Sequence, residues 1–139
     1  MPKGWGNMRA LIVQRNRDLG RLWQRHLERL DVEVMLVPTA ERALQVIQHH
    51  LFDVIVLDLV LSEGSALAVA DLVQFRQPDA NVVFVTDTTF FSDGSIFNHA
   101  ANARALVKTA TPPDDLAAIV HHYGFKDPAH EAHHNQVLD

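Results

Sequence analysis

The chain contains no cysteine. That absence excludes a disulfide, a thiolate zinc site and a cysteine nucleophile, and it fits a reducing compartment such as the cytoplasm. Also missing is any apolar run approaching the roughly 20 residues of a membrane-spanning helix, so no membrane partner is expected. The segment Met1-Pro2-Lys3-Gly4-Trp5-Gly6-Asn7 lacks the charged-then-apolar layout of a signal peptide, and a cytoplasmic location is expected. An excess of positive charge is lacking too, since the formal net charge of −5 argues against general nucleic-acid binding. There is no internal repeat and no low-complexity tract. No G-x-S-x-G elbow surrounds Ser65, which reads better as a helix cap. The loop Gln14-Arg15-Asn16-Arg17-Asp18 lacks the glycines and hydroxyls that cradle a flavin or nucleotide phosphate.

What is present is the composition of an ordinary globular domain, with 139 residues, 47% of them hydrophobic and 21% charged. That length buries a working core without staples or metals. Arg9 to Gln14 reads as a buried strand, after which Leu19, Leu22, Trp23, His26, Leu27 and Leu30 recur on one helical face. The pattern repeats with a strand over Val32 to Val37, a cap at Thr39, and a helix facing inward through Ala43, Leu44, Ile47 and Leu51. A third strand, Asp53 to Asp58, is nearly continuous Val, Ile and Leu, as expected where helices cover both faces of a sheet. Ala66 to Phe75 predicts an apolar helix. Asn81 to Thr86 predicts a fourth strand, with a short helix around Ser95 to Ala101 before a fifth strand, Ala105 to Lys108. Thr111-Pro112-Pro113-Asp114 carries a hydroxyl cap, a proline for the first helical position and an acid three residues on. Leu116, Ile119, Val120 and Tyr123 would face inward, with Gly124 placed to end the helix. Five strands alternating with five helices predict an α/β, flavodoxin-like, doubly wound parallel sheet of order 2-1-3-4-5. The domain is expected over residues 8–125, followed by a histidine-rich tail over 126–139.

Three polar residues close three of these strands: Asp58, Thr86 and Lys108. In an open parallel sheet, ligands gather outside the carboxyl ends of the strands, so these residues are expected along one crevice. A polar residue at one strand end is unremarkable; three at regularly spaced ends point to a built site.

Read together, Leu11-Ile12-Val13, Phe52-Asp53-Val54-Ile55-Val56-Leu57-Asp58-Leu59, Val83-Phe84-Val85-Thr86 and Leu106-Val107-Lys108 resemble the receiver domain of two-component response regulators, over roughly residues 9 to 124. The resemblance implies that Asp58 stands at the phosphoacceptor position, with Thr86 as the hydroxyl that follows the phosphoryl group and Lys108 as its ammonium partner. It also implies a Mg2+ ion held by an acidic pair after the first strand, by Asp58, and by the backbone carbonyl of Val60. At the acidic-pair positions this chain has Gln14 and Arg15. Magnesium wants carboxylate oxygens, whereas arginine brings a fixed positive charge, so an impaired metal site is expected. Ser62 and Thr109 replace prolines usual in the family, Asp87 replaces a small residue, and Ala105 stands where a mobile aromatic ring is common. Either Arg15 reaches Asp58 as a charge-assisted pair in place of the ion, or it points to solvent; both readings stay open.

With the chain ending soon after the fifth expected helix, a stand-alone atypical receiver in a phosphorelay, acting through protein contacts and not as an enzyme, is expected. Its partner would be a histidine kinase or a phosphotransfer protein, and a homodimer is compatible with it. Arg17, Arg21, Arg25 and Arg29 form a basic stripe on the first helix, read either as a solvated face or, through Arg17, Arg21 and Arg25, as a docking surface for an acidic partner. The alternative within the family is a phosphorylation-independent adaptor. From another class, the histidines His121, His122, His130, His133 and His134 suggest a small metal-binding protein. His130-Glu131-Ala132-His133-His134 matches the H-E-x-x-H pattern, but in a tail without the helix and cleft a zinc protease needs.

Overall fold

The computed structural model describes residues 8–61, 65–87 and 103–124. Five strands, β1 (Met8–Val13), β2 (Val32–Val37), β3 (Val54–Asp58), β4 (Asn81–Thr86) and β5 (Ala103–Lys108), form one sheet in the order β2-β1-β3-β4-β5. All four pairings are parallel, and the sheet is the flavodoxin-like one expected. Among the described residues there are four helices, α1 (Arg17–Glu28), α2 (Ala40–His49), α3 (Ala66–Arg76) and α4 (Pro113–Gly124). The further helix expected around Ser95 to Ala101, and the tail over 126–139, lie outside the described residues.

The alternation of the strands sorts the core into two layers. Leu11, Val13, Ile55, Leu57, Val82 and Phe84 pack with α2 and α3 on one face. Ala10, Ile12, Val54, Val56, Val83 and Val85 pack on the other, against Trp23 and Leu27 of α1 and Leu116 and Val120 of α4. The central strands are buried on both faces, which is why they read as continuous Val, Ile and Leu. Between Val82 and Val83 the β4–β5 register shifts, so that Arg104 is extra; its Nε donates to Asn81 Oδ1 at 2.9 Å.

Local chemistry sets the helix starts. Asn16, Thr39 and Ser65 are extended and accept, through their side chains, from the backbone N–H groups of Leu19, Arg42 and Ala68. The expected caps at Thr39 and Ser65 are therefore present. At α4 the expectation needs correcting. The first helical bond runs from Leu116 N–H to Pro112 O, so the chain enters the helix at Pro113 with Pro112, not Thr111, at the capping position. The Thr111 N–H instead turns back to Lys108 O, closing a turn at the end of β5. Leu30 and Leu51, expected on inner helical faces, are exposed by 41% and 71% because each falls after its helix has ended.

Two features outside the sequence expectations hold the elements in register. Gln77, buried at the end of α3, donates from Nε2 to Ile47 O (2.8 Å) and His50 O (2.6 Å), and its Oε1 accepts from Phe52 N–H (2.9 Å). One amide thus closes the end of α2 and the entrance to β3. Gly124 is buried where α4 crosses β1 and β3, and a methyl group there would run into Met8 and Val54. Its lack of a side chain serves close helix–sheet approach.

Candidate functional site

Strand β3 ends in Asp58, and the chain then turns, with the Leu59 N–H donating to Val85 O and the Val60 N–H donating to Asp58 Oδ1 at 2.9 Å. The carboxylate is therefore folded back over its own strand end. Strand β4 ends in Thr86, which pairs in register with Lys108 at the end of β5. All three strand ends lie on the carboxyl edge of one parallel sheet, the location at which open α/β folds place their sites. Alternation divides them within that edge. Asp58 carries the parity of Val54 and Val56, toward α1 and α4, while Thr86 and Lys108 carry that of Phe84 and Leu106, toward α2 and α3.

On the Asp58 side stands Gln14, which directly follows β1 and continues the ladder through Gln14 N–H to Val37 O at 3.1 Å. Its side chain is 2% exposed. Gln14 Oε1 accepts from Asn16 N–H at 2.9 Å, and Asn16 in turn caps α1, so the carboxamide organises the whole β1–α1 turn. With the oxygen committed to the turn, Nε2 is turned toward Asp58. It lies near enough to lower the carboxyl's pKa, yet it has no partner of full hydrogen-bonding geometry among the described residues. A buried donor left in this way is rare in folded proteins.

Asp58 is only 6% exposed, and burial pushes its pKa above the ordinary value of 3.8. Asp87 adds repulsion in the same direction; the Val60 N–H, the Gln14 amide and the positive charge of Arg15 oppose it without reversing it. Arg15 is exposed and forms no ion pair with Asp58, so it acts through space; the charge-assisted pair is not made. Lys108, also exposed, makes no ion pair with Asp58 either. Asp58, Thr86 and Lys108 thus end neighbouring strands on one edge, and Gln14, Arg15, Val60 and Asp87 act on the Asp58 carboxyl.

A divalent ion does not fit this donor set. The Gln14 oxygen is taken by the turn and Arg15 supplies a cation where the family's acidic pair would supply an anion, so the β1–α1 turn offers no carboxylate to join Asp58. Among the described residues no group of three or more His, Cys, Asp and Glu side chains is arranged to hold a metal. A surface concavity of about 500 Å³, lined by Ile47, His50, Leu51, Phe75 and Gln77 among others, opens at the far end of the sheet, away from Asp58.

The model of the response regulator receiver domain family matches residues 10–121, and the chain belongs to that family. No curated protein matches it in sequence. Solved structures of similar fold include a CheY-like receiver domain protein from Methanospirillum hungatei JF-1, 20% identical, covering 85% of this chain and 94% of its own, with a TM-score of 0.77. The response regulator TrrA of Thermotoga maritima, in complex with Mg(2+)-BeF, is 21% identical over 84% of this chain and 98% of its own, at 0.72. A Burkholderia pseudomallei response regulator carrying a phosphorylated aspartic acid and a calcium ion is 20% identical over 95% of this chain and 74% of its own, at 0.73.

Proposed function

We propose that this chain is an atypical receiver domain of a two-component phosphorelay, in which Asp58 keeps the phosphoacceptor position but the Mg2+ site is impaired. It acts by protein contacts and not as an enzyme. The observation that carries this reading is the β1–α1 turn. Where a receiver needs two carboxylates, a buried carboxamide is already spent on the backbone and a guanidinium stands beside it. An aspartyl nucleophile facing an incoming phosphoryl group needs its charge neutralised, and without the divalent ion the main neutralising charge is gone. Thr86 and Lys108 keep the types and strand-end positions of the hydroxyl and ammonium groups that attend phosphoryl transfer. Docking of a histidine kinase or phosphotransfer protein is assigned to Arg17, Arg21 and Arg25, exposed on α1 directly after the Asp58-side turn.

The test is incubation of the full chain with a small acyl phosphate and Mg2+, followed by intact-mass measurement. No stoichiometric gain is expected. A full equivalent of phosphoryl group mapped to Asp58, gained only with Mg2+, defeats the impaired-site reading.

A further inference from the structure

We propose that the concavity between the ends of α2 and α3, at the far end of the sheet from Asp58, is a docking groove for an acidic protein segment that carries a bulky apolar anchor. The inference goes beyond the receiver reading and does not rest on the chemistry of Asp58.

The groove holds about 500 Å³, and Leu51 and Phe75 both line it. They are the two most exposed large apolar side chains among the described residues, at 71% and 80%. One such residue on a surface is ordinary, whereas two on one concavity mark a place that a partner covers. Both are held in place. Gln77 clamps the backbone on either side of Leu51, donating from Nε2 to His50 O and accepting at Oε1 from Phe52 N–H, and Phe75 stands in the last turn of α3 just before Gln77. A fixed apolar pair loses little freedom on binding, which favours association.

The charge of the rim selects the partner. Arg76 is exposed and makes no ion pair with a described residue, His49 and His50 add imidazole groups, and no carboxylate lines the groove. Asp53, Asp71 and Asp79, the acids nearest along the chain, lie outside the lining, and Asp53 accepts from Arg9 N–H. The carbonyls of Ile47 and His50, which would repel an acidic group, are covered by the Gln77 amide. A second copy of this chain fits worse, because a two-fold interface centred on the groove would set Arg76 and both histidines against their own copies. Carboxylates around an apolar anchor match the rim and the apolar pair together.

The experiment titrates the full chain, labelled with 15N, with a synthetic peptide in which glutamates flank a leucine and a tryptophan, and with a counterpart bearing glutamine for each glutamate. Saturable shifts at the backbone N–H groups of Leu51, Phe75 and Arg76 are expected with the acidic peptide, with affinity falling as salt rises and about tenfold lower for the glutamine peptide. Phe75→Ala, at an exposed position that does not threaten folding, should weaken binding about tenfold, the usual scale for a lost aromatic anchor. Arg76→Gln should weaken it several-fold and flatten its salt dependence. Absence of saturable shifts at these residues, equal affinity for the two peptides, or undiminished binding in the Phe75→Ala protein each overturns the proposal. So does a dimer seen by sedimentation of the parent and lost in Phe75→Ala, which would give the groove to a second copy. Shifts of residues 126–139 on making Phe75→Ala, without peptide, would give it to the tail and overturn the proposal as well. None of these outcomes depends on whether Asp58 gains mass in the acyl phosphate test, so the two readings fail separately.

Discussion

Gln77 illustrates how one buried polar side chain governs a junction. Its amide satisfies two carbonyls and one N–H that the ends of α2 and β3 leave without partners. Gln77→Leu keeps the volume but strands those three groups, and the expected loss is about 2–4 kcal/mol by urea unfolding. A loss below the error of the measurement would mean that water replaces the amide. Asp58 acts in the opposite sense. Its folded-state pKa lies above the unfolded one, so the folded chain binds the proton more tightly, and stability falls as pH rises from the ordinary carboxyl value of 3.8 through the folded-state pKa. Asp58→Asn removes that decline. The variant is expected to be about 0.5–2 kcal/mol more stable than the parent at neutral pH, with the two converging in acid, in thermal unfolding followed across pH. At this scale the sequence singled out Asp58 by its place after an apolar run. It marked Gln14 only as a missing carboxylate, since the bond from Asn16 N–H that makes it the organiser of its turn depends on backbone geometry.

Among the elements, α1 joins two different surfaces. Trp23 and Leu27 are buried against the sheet, whereas Arg17, Arg21 and Arg25 are exposed and form no ion pair among the described residues. The inner face follows from apolar residues spaced three and four apart, and it was readable before any coordinates. Unpaired surface arginines contribute little to folding but steer an acidic partner. Reversal of Arg17 and Arg21 to Glu is therefore expected to leave the unfolding temperature nearly unchanged. It should weaken capture of a cognate phosphotransfer protein by about tenfold or more, mainly through the association rate, in binding measured at two salt concentrations. Unchanged, salt-independent binding would move the docking surface elsewhere. The α4 start shows where element-level reading went astray. Thr111 has the chemistry of a cap, but its N–H is drawn back to Lys108 O in the turn after β5, which leaves Pro112 at the capping position.

For the molecule as a whole, the two core layers meet through a sheet whose central strands are buried on both sides, so helices must approach closely. Gly124 is the tightest such approach, with Met8 and Val54 beneath it. Gly124→Ala would improve an isolated helix, yet here it is expected to cost about 1–3 kcal/mol by forcing α4 off the sheet, as read by denaturant unfolding. A stabilised variant would show that the end of α4 is free to lift. The parallel topology also explains the site's location, because it brings the carboxyl ends of β3, β4 and β5 to one edge.

The alternating pattern of apolar strands and amphipathic helices pointed to the doubly wound parallel sheet, because periodicity and strand–helix alternation are local properties that leave few topologies open, while the segments ending in Asp58, Thr86 and Lys108 carried the resemblance to receiver domains. Only the tertiary structure decided what surrounds Asp58. Burial raises its pKa, Gln14 turns its amide toward it, and Arg15 acts from solvent without forming an ion pair. Those relations depend on which atoms the packed chain brings within a few ångströms, and no spacing along the sequence encodes them.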